Sequence, residues 1–324
     1  MASSEAECSS SKKVKKNYEN HINFAKLFHE TTTFESTINF CQKFDLLPKV
    51  INCKNCGAIL EKYYINKNSP YYRCNKTSCR SKQYLTKNTW FEGRRISIKK
   101  TLILTYCFYI KASFDSAIRE TSGTFFNEEE TSPETVSDTY SYCREVCTEI
   151  LLKDGAVQIG GVNCIVEIDE AKFGKRKYNR GRLVEGTWVF GGICRETREC
   201  FFVPLPQEHG RTEESLLGLI KKHIRPGSII HSDCFASYNN IEQKLGHQHF
   251  TVNHSENFVD PVTGCHTNTI ESTWWSVKRS LRSSHCRKEN FADHLAEYIY
   301  FKKTAGENQF AQFLFDIGQI YPGQ

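Results

Sequence analysis

Three acidic residues of this 324-residue chain lie where a strand or a helix could turn them toward one point. Asp169 falls in CIVEIDE, Asp233 ends SIIHSD, and Glu271 falls in HTNTIESTWWSVKR. They are 64 and 38 positions apart (169 to 233, then 233 to 271). Converging carboxylates repel one another unless a cation separates them. Magnesium does this well, because it takes hard oxygen ligands and keeps positions open for water and phosphate oxygens. Two such ions about 4 Å apart clamp the attacking and leaving oxygens of an in-line phosphoryl displacement. The chemistry implied is metal-dependent cutting or joining of phosphodiesters.

Each of the three also has a plainer reading. Asp169 could be an ordinary strand-end aspartate, although Ile165, Glu167 and Asp169 share one strand face under period-two alternation. Acidic groups on a central strand are expensive unless they bind something. Glu167 and Glu170 are its neighbours, with Glu170 on the opposite face. Asp233 could cap the helix after it, yet the carboxyl ends of strands are also where α/β sheets bind ligands. Asn268-x-x-Glu271 reads as a capping box with Asn268 as N-cap. Against capping alone, Ile270, Trp274, Val277 and Leu281 form a buried stripe at helical spacing. Glu271, Trp275, Lys278 and Arg282 form the stripe beside it. A carboxylate, an aromatic and two cations along one helix suit a phosphate backbone lying across it.

Cys53-x2-Cys56 and Cys74-x4-Cys79 flank a hairpin-length gap, the spacing of a tetrahedral zinc ribbon. The alternative is two unrelated cysteine pairs. AKFGKRKYNRGR packs Lys172, Lys175, Arg176, Lys177, Arg180 and Arg182 directly after Asp169. Such a run is either a solvated face or a phosphate contact that positions the protein on DNA, and its neighbourhood favours DNA. His231, His254 and His266 lie near the acidic positions without zinc-hydrolase spacing, which leaves them hydrogen-bonding roles. No Gly-rich phosphate loop and no G-x-S-x-G elbow is present, so kinase and serine-hydrolase chemistry falls away.

The elements that would position these residues follow from patterning. With 39% hydrophobic and 25% charged residues and a net charge of +6, the composition is that of a globular protein compatible with a polyanionic partner. No apolar run approaches the roughly 20 residues of a membrane span. Fifteen cysteines without a secretion signal argue for a reducing compartment. We expect a disordered basic and Ser-rich tail over 1–20, whose KKVKK is a solvated tail or an import signal. A short helical segment over 21–50 and the zinc ribbon over 51–92 follow. A helical module over 93–155 comes next, with an amphipathic first helix and a last helix started by Ser132 and Pro133. Its mixed exposed face (Glu134, Asp138, Arg144, Glu145) leaves a helix-turn-helix base reader and a plain connector equally open. Over 160–305 three antiparallel strands (163–170, 186–196, 199–206) precede an α-β-α-β-α run. That is the element order of a ribonuclease H-like α/β domain, a mixed sheet flanked by helices. A C-terminal helix over 306–324 closes the chain.

VEIDEAKFGKRKYNRGR, WVFGGICRET, HSDCFASY and HTNTIESTWWSVKRSL resemble the Merlin transposases and their bacterial insertion-sequence relatives of the ISXO type, over roughly residues 35–305. The resemblance implies a ribonuclease H-like fold with a DDE triad at Asp169, Asp233 and Glu271, followed by Lys278. Asn268 is a weaker candidate, because some relatives carry Asn in place of the Glu. It further implies two Mg2+ (or Mn2+) ions, structural Zn2+, and cut-and-paste transposition on double-stranded DNA with terminal inverted repeats. The implied assembly is a dimer or larger, nuclear in a eukaryotic host, neither secreted nor membrane-bound. The rival readings are a domesticated DNA-binding descendant and a nuclease or resolvase of the same fold.

Overall fold

The computed structural model describes residues 21–66, 69–123, 130–153, 155–174, 186–283, 290–306 and 308–323. The expected tail over 1–20, with its KKVKK, and Lys175, Arg176, Lys177, Arg180 and Arg182 lie outside the described residues, as does the side chain of Arg282. The chain forms two compact units, one over Leu151–Lys303 and one over residues up to Ile150 together with Thr304–Gln324. No helix among the described residues is long and apolar enough to cross a membrane.

In the first part of the chain, α1 (Phe24–Glu30) and α2 (Phe34–Lys43) precede short strands. Antiparallel β1 (Ile51–Asn52) and β2 (Ile59–Leu60) form one ribbon. β3 (Tyr63–Asn66), β4 (Ser69–Arg73) and β5 (Lys82–Tyr84) form an antiparallel three-stranded sheet. Three helices follow: α3 (Ile98–Tyr109), α4 (Phe114–Thr121) and α5 (Pro133–Lys153). Ser132 caps α5 as expected, its Oγ accepting the Thr135 N–H at 3.2 Å.

Two expectations fail here. α3 is not amphipathic, because ten of its twelve residues are buried and it runs through the interior of its unit. Arg144 does not belong to the exposed face of α5 but is itself buried. The last helix, α10 (Gln309–Ile320), packs in this unit through rings: Phe310 on Tyr106 (5.0 Å), Phe313 on Phe108 (5.8 Å) and Phe315 on Phe44 (5.0 Å). Offset and edge-on contacts at these separations are the favourable ring geometries.

The other unit is built on a five-stranded sheet of order β10-β9-β6-β7-β8. β6 (Ile165–Phe173), β7 (Thr187–Cys194) and β8 (Cys200–Pro204) form an antiparallel meander. After α6 (Glu213–His223), β9 (Ile229–Asp233) joins β6 in parallel. A single 3-10 turn at Ala236–Tyr238 and α7 (Ile241–Leu245) lead to β10 (Gln248–Val252), parallel to β9. α8 (Asn268–Ser283) and α9 (Phe291–Lys303) complete it. This is the α/β mixed sheet that the element order implied.

Alternation along β6 divides the layers. Val166 and Ile168 point into a core with Phe190, Phe201, Leu216, Leu217, Ile220 and Ile241, contributed by neighbouring strands and by α6 and α7. Glu167, Asp169 and Phe173 point to the other face, beneath α8, whose Trp274 contacts Phe173 (5.8 Å) and Phe202 (4.9 Å). α8 buries the stripe Ile270, Trp274, Val277 and Leu281 that its 3.6-residue period indicated.

Candidate active site

Register brings Asp169 and Asp233 together. β6 and β9 are parallel with Glu167 opposite His231, so positions two further along each strand, Asp169 and Asp233, are neighbours on the same face. Adjacent strands lie about 4.8 Å apart. Both groups therefore stand at the carboxyl end of the parallel half of the sheet. The pairing leaves an electrostatic mark: the Asp169 carboxyl is pushed up from 3.8 to about 7, first by burial and then by the Asp233 charge. Asp233 accepts the Phe235 N–H at 3.0 Å, a turn that fixes its carboxylate at the strand end.

Trp274 donates its indole N–H to Asp169 Oδ2 at 3.0 Å. Room for that indole comes from Gly191, which pairs with Asp169 across β6 and β7. A Cβ at Gly191 would lie 2.6 Å from Trp274 Cη2 and 2.7 Å from Phe202 Cδ1, too close for any alanine without displacement.

Glu167 holds α8 in position. Its side chain is fully buried, and Oε2 accepts the N–H groups of Thr269 (2.8 Å) and Ile270 (2.9 Å) in the first turn of α8. A carboxylate there meets both the unpaired helix donors and the positive end of the helix dipole. The capping box that was the plainer reading of Asn268 and Glu271 is thus absent, and Glu167 takes its place. Asn268 is the exposed first helical residue, and Glu271 lies one position too deep, its N–H bonded to the Thr267 carbonyl at 3.1 Å.

Arg195, which carried no assigned role in the sequence reading, organises this region. Its Nε donates to Glu167 Oε1 at 2.6 Å, and NH2 contacts His231 Nδ1 (3.2 Å), His266 Nδ1 (3.0 Å) and the His266 carbonyl (2.7 Å). One guanidinium therefore ties β6, β9 and the loop before α8. His231 is pushed down to about 4, first by burial and then by the Arg195 charge, so it is a neutral acceptor at physiological pH. The only sequence signal was an unexplained acid, Glu167, on the same strand face as Asp169.

Glu271 stands apart from the pair. Its side chain is half exposed, accepts the Thr267 hydroxyl at 2.9 Å and lies 3.4 Å from His254 Nε2. His254 follows β10, whose last residue, Val252, pairs with Asp233. Asp233 and, through His254, Glu271 therefore lie at the carboxyl ends of β9 and β10, with Asp169 just beyond the part of β6 that pairs with β9. The oxygens of Asp169, Asp233 and Glu271 do not all lie within 4.8 Å of one another, so the convergence expected from sequence is looser than a single-ion cage. Two ions about 4 Å apart, each about 2 Å from its ligands, span outer ligands up to about 8 Å apart. The donor set is entirely hard oxygen, and the Asp233 charge adds to the cost of ionising Asp169. These residues fit divalent magnesium.

Glu170, on the opposite face, is occupied elsewhere: it accepts from Tyr238 Oη and pairs with Arg211 at 3.0 Å. Lys172 shares that face and lies over the Trp188 ring at 5.6 Å, away from the carboxylate pair. Along α8, Lys278 lies 5.4 Å over Phe173, and the exposed Trp275 carries Arg279 at 5.4 Å. These side chains form an aromatic and cationic surface next to the acidic edge.

In the other unit the sulfurs of Cys53, Cys56, Cys74 and Cys79 all lie within 4.8 Å of one another. Cys53 Sγ to Cys79 Sγ is 3.6 Å and Cys56 Sγ to Cys74 Sγ is 3.5 Å. Zn–S bonds of about 2.3 Å in a tetrahedron give edges of about 3.8 Å, so the cluster fits zinc. Each pair sits on a tight turn, closed by Gly57 N–H to the Cys53 carbonyl (2.8 Å) and Cys79 N–H to the Lys76 carbonyl (3.0 Å). Gly57 takes φ +68°, which its lack of a Cβ permits. The Ser81 hydroxyl, 2.9 Å from Cys53 Sγ, draws that thiol down to about 6, toward the thiolate a metal needs.

Residues 158–301 match the model of the ISXO2-like transposase domain. A curated relative, an uncharacterized transposase-like protein of Haemophilus influenzae, is 32% identical over 84 residues, 26% of this chain and 66% of its own length. The match thus spans just under two-thirds of that relative. Among solved structures, a chain of the simian T-cell lymphotropic virus intasome in complex with PP2A regulatory subunit B56 gamma aligns at 16% identity and TM-score 0.27, over 53% of this chain and 58% of that one. A chain of the Mos1 strand transfer complex aligns at 9% identity and TM-score 0.27, over 70% of this chain and 97% of that one. Likenesses this slight do not assign the fold, which rests on strand order and register.

Proposed function

We propose that this protein is a metal-dependent transposase of the Merlin type that cuts and joins DNA at terminal inverted repeats. The observation that supports the reading is the pair Asp169 and Asp233, each two positions beyond the last β6–β9 register pair and electrostatically coupled, with Glu271 on the helix that Asp169 and Glu167 hold in place, all inside the segment that matches the ISXO2-like transposase domain. Asp169, Asp233 and Glu271 would hold two Mg2+ (or Mn2+) ions. Bound there, the ions would lower the pKa of a water and neutralise charge developing on the scissile phosphate.

The protein's own residues do the rest. Trp274 fixes the Asp169 carboxylate, and Arg195 with Glu167 fixes the start of α8 and so the height of Glu271 above the sheet. Lys278 would contact a phosphate beside the scissile bond, with Trp275, Arg279 and Arg282 extending the track along α8. Lys175, Arg176, Lys177, Arg180 and Arg182 would add backbone contacts from the segment after β6. Such contacts position a protein on DNA without reading sequence. Lys172, on the far face of the sheet, is the weakest member of that set, and Asn268 remains a minor candidate beside Glu271. The four-cysteine cluster would hold one structural Zn2+, and the three-helix module is the candidate reader of terminal repeats. Joining two transposon ends calls for a dimer or larger assembly.

The test is a Mg2+-dependent assay offering duplex transposon ends, branched junctions and RNA–DNA hybrids to the full-length protein. Cleavage of the ends, abolished by Asp169→Ala with DNA binding retained, is expected. Preference for junctions or hybrids would replace transposition with a nuclease role. Binding without cutting would indicate a domesticated DNA-binding protein. Cutting undiminished by Asp169→Ala would overturn the site.

A further inference from the structure

Cys164, Cys194 and Glu196 play no part in the site described above, yet the fold brings them together. Cys164 immediately precedes β6, Cys194 ends β7 opposite Val166, and Glu196 lies in the turn that leads from β7 to β8. Both cysteines are buried, at 3% and 0% exposure, while Glu196 is open to solvent. One ligand atom from each residue, two sulfurs and a carboxylate oxygen, lie within 4.8 Å of one another. Cys194 Sγ and Glu196 Oε2 are 3.3 Å apart.

The Cys194–Glu196 separation is close to that of two ligands in one coordination shell. With Zn–S near 2.3 Å and Zn–O near 2.1 Å, a tetrahedral S···O edge is about 3.6 Å. The carboxylate is also aimed before any ion arrives, because the Ile165 N–H donates to the same Oε2 at 3.0 Å. The turn that carries Glu196 is itself fixed. Cys194 N–H bonds the Glu199 carbonyl at 2.9 Å, Arg198 N–H bonds the Cys194 carbonyl at 3.0 Å, and Thr197 Oγ1 donates to Glu199 at 3.2 Å. Outer contacts of this kind orient ligands in metal sites.

We propose that Cys164, Cys194 and Glu196 form a second thiolate metal site, taking one Zn2+ with water as the fourth ligand. Two soft sulfurs select zinc over magnesium, which takes oxygen donors. Glu196 is the exposed member of the set, so water would enter from its side. Asp169 lies four residues beyond Ile165 along β6, about 13 Å away, so this ion is not one of the pair proposed at the carboxylates. Its place gives it a structural task. It would pin the start of β6 to the end of β7, one residue from Arg195 and hence from the contacts that seat α8. The proposal does not depend on the transposase reading.

The test is zinc content of the full-length chain, purified under reducing conditions with zinc supplied, and Co2+ substitution read by thiolate charge-transfer absorption. Two equivalents per chain are expected. Cys164→Ser with Cys194→Ser should remove one, and Cys53→Ser with Cys56→Ser should remove the other independently. Glu196→Gln keeps both sulfurs and should weaken zinc binding at this site by about tenfold or more in a chelator competition. If the double serine variant does not fold, Glu196→Gln decides the matter alone. Unchanged zinc content in a folded Cys164→Ser, Cys194→Ser protein would overturn the proposal. So would parental affinity in Glu196→Gln, or a Cys164–Cys194 disulfide in the reduced preparation.

Discussion

Replacing Asp169 by Asn should stabilise the metal-free protein while destroying its activity. Burial and the Asp233 charge raise the folded pKa of Asp169 from 3.8 to about 7. A group with a raised folded pKa holds its proton in the folded state after the unfolded chain has released it. Stability therefore falls as pH climbs from about 4 to about 7, and the full penalty stays in place above that window. Three pKa units at 1.36 kcal/mol each give an upper limit of about 4 kcal/mol. The carboxylate keeps partial solvent contact, and screening reduces the penalty to about 2 kcal/mol. Asn carries no charge and still presents an oxygen to the Trp274 indole. At pH 8, without added divalent cations or chelator, Asp169→Asn should melt about 4–8 °C above the parent. The gain should shrink as pH is lowered through 7 toward 4. Mg2+ should stabilise the parent, by about 2.7 kcal/mol at a hundredfold excess over its dissociation constant, and leave the variant unmoved. Differential scanning calorimetry across pH and Mg2+ concentration measures all of this. A variant no more stable than the parent at pH 8, or equal Mg2+ stabilisation of both, would refute the reasoning.

Gly191, Glu167 and Cys53 carry further expected outcomes. Gly191→Ala drives a Cβ into Trp274 and Phe202, and should cost about 1–3 kcal/mol in urea denaturation and about a hundredfold in cleavage as α8 shifts. Glu167→Ala strips the partner from Arg195 and the cap from α8, and should cost about 3–5 kcal/mol by chemical denaturation. Glu167→Gln, which keeps an acceptor for the helix, should cost measurably less. Cys53→Ser should lower the zinc content by one equivalent and open residues 51–92 to limited proteolysis, because structural zinc sites supply folding free energy directly.

Several features of this protein were legible in the sequence because they are local. The buried stripe of α8 follows from residues three and four apart, the shared face of Glu167 and Asp169 from residues two apart, and the paired cysteines from spacing within two tight turns. Strand register, helix seating and burial are not local. Glu167 meets Arg195 across 28 positions and Thr269 across 102, and Trp274 meets Asp169 across 105. No periodicity encodes such partners. The helical pattern of α3 could not show that it would be covered on every side, nor that of α5 that Arg144 would be buried. Glu271 carried a capping reading beside the ligand reading because Asn268 stood three places before it. The fold instead supplied the cap from Glu167, on a strand a hundred residues earlier. The sequence therefore specified which side chains could do chemistry. Register between parallel strands decided which of them meet, since one residue of slip would have sent Asp169 and Asp233 to opposite faces of the sheet.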